Sequence, residues 1–133
     1  MNNLAWTLTS SGQHAQALEL MQIALPLYKK VLGEDHINTL GSADTMAHAL
    51  NRLGRYEEAI SLQKMSLAQC EKTLGVTHAL TIMFMKNLAE NLFANGERAE
   101  ALSLIERAVT AAKETFGVNH PDTKKILELR DTF

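Results

Sequence analysis

Leu32-Gly33 with His36, Leu74-Gly75 with His78, and Phe116-Gly117 with His120 repeat one short pattern at intervals of 42 residues. The same shift superposes Gly12, Gly54 and Gly96, then Ala5, Ala47 and Ala89, then Ala17, Ala59 and Ala101, and then Leu20, Leu62 and Leu104. A fixed period of this size restricts the fold more than any other feature of the chain. Each repeat is one supersecondary unit that buries its apolar face on its neighbours, which is the logic of a solenoid. A solenoid offers a surface rather than a cleft. Binding, not chemistry, is therefore the default function.

The repeats divide the chain into residues 2–36, 37–78, 79–120 and a partial fourth from 121 to 133. Within the second, Leu40, Ala43, Met46, Ala47 and Leu50 fall at three- and four-residue steps, the mark of an amphipathic helix. Gly54 then ends that helix, and a second periodic stretch runs through Ala59, Leu62, Leu67, Cys70 and Leu74 to Gly75. Helices are expected near 2–11, 14–32, 38–53, 56–74, 80–95, 98–116 and 121–131. Proline is preorganised for the first helical position, so Asn119-His120-Pro121-Asp122 predicts a new helix capped by His120 or Asn119. Pro26 lies inside a predicted helix and should kink or weaken it.

Composition narrows the function. Apolar residues make up 46% of the 133 and charged residues 21%, which predicts a folded core. With 13 Lys and Arg against 15 Asp and Glu, no basic excess exists to neutralise phosphates, so neither nucleic acid nor an anionic membrane is an expected partner. No run approaches the ~18 apolar residues of a membrane span, and Met1-Asn2-Asn3 begins no signal-peptide pattern. The lone Cys70 fits a reducing compartment, and the expected location is cytoplasmic.

Asn87-Leu88-Ala89, Leu92, Gly96, Glu100-Ala101 and Gly54-Arg55-Tyr56-Glu57-Glu58-Ala59 resemble the tetratricopeptide signature. The long second helix, the Leu-Gly-x-x-His connector and His-Pro-Asp-Thr at 120–123 are similar to the 42-residue form of kinesin light chains. The resemblance implies an all-α, right-handed superhelical solenoid of antiparallel helix pairs, with about seven helices. It also implies a non-catalytic module that binds a protein or peptide in a concave groove lined by the first helix of each pair. Carried over by position, the groove residues are Asn3 and Trp6, then Asp44, Thr45, His48, Asn51 and Arg52, then Met83, Lys86, Asn87, Glu90 and Phe93. The family likeness singles out Asn3 and Asn87, since an asparagine can pair both backbone groups of an extended peptide. Thr45 interrupts that series.

Catalytic and metal readings fare worse. His36, His78 and His120 are repeat-equivalent, so neighbours stand on the order of 10 Å apart in stacked helices. Zinc holds its ligand nitrogens at ~2 Å, so the three cannot share one ion. A structural role at the connector is expected instead. No Gly-rich phosphate loop and no nucleophile–base set appear, and no cofactor is expected. The array has no polar capping helix at either end, which predicts a piece of a longer array or self-association through the ends. Leu4, Leu8, Ile126, Leu127, Leu129 and Phe133 would then present apolar faces. Structural spacing, or service as the sensor segment of a larger nucleotide-dependent signalling protein, are the alternative functions.

Overall fold

A computed structural model describes residues 13–133, and every element among them is an α-helix: α1 (His14–Leu32), α2 (Ile37–Arg52), α3 (Tyr56–Leu74), α4 (Ala79–Ala94), α5 (Arg98–Thr115) and α6 (Pro121–Thr132). The helix expected at 2–11 lies outside the described residues. The other six appear where the periodicity puts them, each end within a residue of expectation. Helix α1 runs through Pro26 for its full 19 residues. Pro26 is exposed, so the hydrogen bond lost at that turn leaves a carbonyl that water can reach.

The three first helices begin alike. His36, His78 and His120 each take an extended conformation, with φ from -69° to -67° and ψ from 139° to 141°. Each imidazole accepts a hydrogen bond through Nδ1 from the backbone N–H two residues on, at 3.1 Å in every case. Histidine thus does the work usually given to serine or aspartate at a helix start, satisfying one orphan donor. In the third instance Phe116 also stacks on the His120 ring, with centroids 4.8 Å apart. The glycines close the opposite ends. Gly33 at the end of α1 has φ 92° and ψ 160°, a conformation open essentially to glycine alone.

The chain forms two compact units, Met1–Gln69 and Cys70–Phe133, each with its own packing. In the first unit, α1 packs on α2, and Ala47 of α2 and Ala59 of α3 are completely inaccessible members of one cluster. The small side chains let the backbones approach closely, and Leu50 and Leu18 fill beside them. A neighbouring cluster holds Met21 and Ala24, with Leu20, Tyr28 and Met46 packed against it.

In the second unit, α4 packs on α5 and α5 on α6. Ile82, Met85 and Leu92 from α4 and Ile105 from α5 are at most 1% exposed. Fully burying a side chain of this size contributes about 1.5–3 kcal/mol relative to leaving it in water. The C-terminal end departs from expectation. Ile126 is 2% and Phe133 8% exposed, so neither belongs to an open apolar face. Leu127 and Leu129 are half-buried, and Leu4 and Leu8 lie outside the described residues.

Candidate functional site

Each unit carries a candidate row on a first helix, α2 in the first unit and α4 in the second. Each helix is amphipathic in an unusual sense: one face enters the core and the other carries polar groups that are only half-buried. On α4 the core takes Ile82, Met85, Ala89 and Leu92. The complementary positions Met83, Lys86, Asn87 and Glu90 recur at three- and four-residue steps, so they form one row along the helix. Met83 is 51% exposed. Lys86 Nζ lies 3.1 Å from Glu90 Oε1, an i,i+4 pair at the surface that cancels the row's charge locally. Asn87 is half-buried and engaged within the molecule.

Phe93, at the end of that row, is committed elsewhere. Its ring stacks on Phe133, with centroids 4.5 Å apart and planes within 9°. The carbonyl of Phe133 accepts from Arg98 Nε at 2.7 Å, which holds this aromatic pair in place. Phe93 is thus part of the packing between α4 and the end of α6 rather than a free anchor. The pairing spans 40 residues of sequence and leaves no local signal.

On α2 the corresponding row is Asp44, His48 and Asn51, all half-buried, with Arg52 exposed at the helix end. Asp44 and His48 interact within the molecule, and the Asn51 Oδ1 is buried without a hydrogen-bond partner. Thr45 is a correction to the expected set. It is only 7% exposed, and its hydroxyl donates to the Gly41 carbonyl at 3.0 Å. Its repeat equivalent Asn87 is half-buried, and the shorter threonine differs by turning its hydroxyl back onto its own helix. Asn3 and Trp6 lie outside the described residues.

Other polar groups are structural. Cys70 is fully inaccessible, with Sγ 3.2 Å from Thr81 Oγ1. Burial pushes its thiol pKa up. The hydrogen bond to Thr81 opposes that shift and the nearby Glu71 adds to it. A raised pKa keeps the sulfur protonated and weakly nucleophilic. Ser66 is buried in α3 and donates to the Leu62 carbonyl at 2.9 Å. Two contacts that sequence reasoning missed tie α5 to the end of α3 and to the connector after it: the Arg107–Glu71 ion pair, and a 2.6 Å hydrogen bond from Thr115 Oγ1 to the Thr77 carbonyl. Their shared 36- and 38-residue separations, close to the repeat, were the only signal available. Among the described residues no group of three or more His, Cys, Asp or Glu could hold a metal ion, and no helix is long and apolar enough to cross a membrane.

Tetratricopeptide repeat models match residues 39–114 and residues 1–38. The chain belongs to the tetratricopeptide repeat family. Its repeats resemble those of a solved kinesin light chain from Podosopora anserina, described as having nearly identical TPR-like repeats. The likeness has a TM-score of 0.90 at 27% identity, covering 98% of this chain. A single-substitution variant of the same protein matches equally well. The chain spans 62% of the length of these structures. No curated protein matches the sequence. The fold is thus the all-α tetratricopeptide solenoid of antiparallel helix pairs. Tetratricopeptide repeats are typically non-catalytic scaffolds that mediate protein–protein interaction.

Proposed function

We propose that this tetratricopeptide chain is a protein-interaction module that takes an extended segment of a partner protein along the polar row of a first helix, above all the row on α4. The observation that carries this reading is the α4 row of Met83, Lys86, Asn87 and Glu90. It is a continuous polar and adaptable strip beside a helix face that is otherwise committed to the core. Met83 supplies a flexible, polarizable contact that tolerates varied side chains. Lys86 and Glu90 can exchange their mutual pairing for a partner's charges at little cost, because exposed pairs contribute only ~0–1 kcal/mol. Asn87 offers both a donor and an acceptor, the requirement for reading peptide backbone. On α2, Asp44, His48 and Asn51 supply the equivalent row.

Each row is mixed in sign by itself, Asp44 with Arg52 on α2 and Lys86 with Glu90 on α4, which favours a partner segment that is itself mixed in charge. A buried, unpaired cysteine supports a reducing location such as the cytoplasm. A peptide-array or pull-down screen with the 133-residue chain, repeated with Asn87→Ala and Lys86→Glu, tests the reading. A specific partner lost in both variants, with helical circular dichroism unchanged, supports it. Partners that bind both variants as well as the parent would move the working surface away from α4.

A further inference from the structure

The turn from first helix to second is built alike in both units. Leu53 follows α2 with φ -87° and ψ 2°, and Asn95 follows α4 with φ -86° and ψ 6°. The next residue is a glycine at positive φ, 81° at Gly54 and 85° at Gly96. Each glycine N–H donates three residues back at 3.1 Å, to the Asn51 and Phe93 carbonyls. The following N–H donates five residues back, from Arg55 to Leu50 at 2.9 Å and from Glu97 to Leu92 at 2.8 Å. The two turns differ in chemistry at one place. Leucine precedes the glycine in the first unit, and asparagine precedes it in the second.

Asn95-Gly96 is the one asparagine–glycine step in the sequence. An asparagine carboxamide can be attacked by the main-chain nitrogen of the next residue, which closes a five-membered ring. Glycine favours this step, because no Cβ crowds the nitrogen and the backbone turns freely. The surroundings of Asn95 fit the reaction. Its Nδ2 donates to Glu97 Oε2 at 3.3 Å, so the carboxamide reaches forward past Gly96 rather than back along α4. Beyond the adjacent residues, nothing stands within 4 Å of where Gly96 would carry a Cβ, so no side chain shields that peptide. The bond that occupies the Gly96 N–H lies past the last turn of α4, and helix ends open locally more readily than their middles.

We propose that Asn95 is a modification site that converts through a succinimide to isoaspartate and aspartate, and that isoaspartate loosens the turn between α4 and α5. The Gly96 nitrogen bonds to Asn95 Cγ and gives up its proton. The Cγ–Nδ2 bond breaks, and the side-chain nitrogen leaves with that proton as ammonia. Water then opens the ring. Attack at Cγ gives aspartate. Attack at the main-chain carbonyl of residue 95 gives isoaspartate, whose main chain runs through Cβ and Cγ. The chain is then one carbon longer between the Asn95 and Gly96 nitrogens. A longer chain no longer matches a turn closed by the Gly96 and Glu97 N–H groups. Arg98, which holds the Phe133 carbonyl, follows directly. The first-unit turn, with Leu53, has no carboxamide to react.

The test holds the 133-residue chain in mildly alkaline buffer at body temperature and maps each asparagine by proteolysis and mass spectrometry. Asn119, exposed in the connector before α6, is the internal standard. Conversion at Asn95 about tenfold faster than at Asn119 is expected, since His120 carries the Cβ that Gly96 lacks. Equal rates would overturn the site. The isoaspartate form, separated by ion exchange, is then compared with Asn95→Asp, which adds the charge without lengthening the main chain. Hydrogen exchange at the Glu97 amide should be about tenfold faster in the isoaspartate form. Equal exchange in the two would overturn the loosening.

Discussion

Thr39 in the first unit and Thr81 in the second stand at the third position of a histidine-capped helix, 42 residues apart, and both are at most 2% exposed. Only one hydroxyl has a partner. Thr81 meets Cys70 Sγ at 3.2 Å, whereas Thr39 Oγ1 has none. In the last helix Thr123 donates to the Ala112 carbonyl at 3.4 Å. The residue at the register-equivalent place differs with the outcome. Cys70 and Ala112 are small enough to bring an acceptor near, and the first repeat has the bulky Tyr28 in their place. One backbone pattern therefore carries unequal energetics. Each repeat makes the same helices, and the side chain on the neighbouring helix decides whether a buried polar group is satisfied.

The largest expected effect sharpens this contrast in the cores. Ile105 is completely inaccessible, and its first-unit counterpart in α3 is Gln63 at 4% exposure. Ile105→Ala should cost about 2–5 kcal/mol, from lost transfer energy plus the cavity left behind. Gln63→Ala should cost less, because burial of the amide already carries a desolvation penalty. Urea titrations followed by circular dichroism compare the two, and an equal loss would refute the claim of unequal cores.

The histidine caps come next. His120→Ala should cost about 1–2 kcal/mol, combining a lost cap with the stack on Phe116. His36→Ala loses the cap alone and should cost ~1 kcal/mol. Hydrogen exchange at Asn38 and Asp122, the amides that the imidazoles accept from, reports each cap directly. If His36→Ala proved the more damaging, the stacking contribution would be wrong.

Smaller again is the threonine pair that opened the comparison. Thr81→Val should cost ~1 kcal/mol by stranding the Cys70 sulfur, while Thr39→Val should be neutral or stabilising, since it removes a hydroxyl without a partner. Opposite signs in thermal melts are the expected signature. The Arg107–Glu71 pair should matter least. Its side chains are 50% and 27% exposed, so Arg107→Ala should change stability by less than about 1 kcal/mol, and the change should shrink with added salt.

Helix limits were legible because they depend on neighbours in sequence. The periodicity puts α1 at 14–32 and α3 at 56–74, where they are found. It starts α2 and α4 one residue late, because spacing leaves the cap open between Asp35 and His36 and between Thr77 and His78. Once an imidazole accepts the amide two residues on, the helix must begin at the very next residue. Along the candidate surface, Met83, Lys86 and Glu90 could be chosen by spacing alone. Thr45 and Phe93 could not, because one turns its hydroxyl to its own helix and the other meets a ring 40 residues away.

The amino-acid sequence by itself determined the period, the helices, their caps and the alanines that let pairs cross closely. All of these are short-range consequences of backbone conformation and of one apolar face per helix. Only tertiary structure decided which buried hydroxyls are satisfied and which aromatic is spent inside the second unit. Those outcomes depend on the side chain that each helix meets across a gap of a few ångströms, and a repeat pattern carries the position of that meeting without its chemistry.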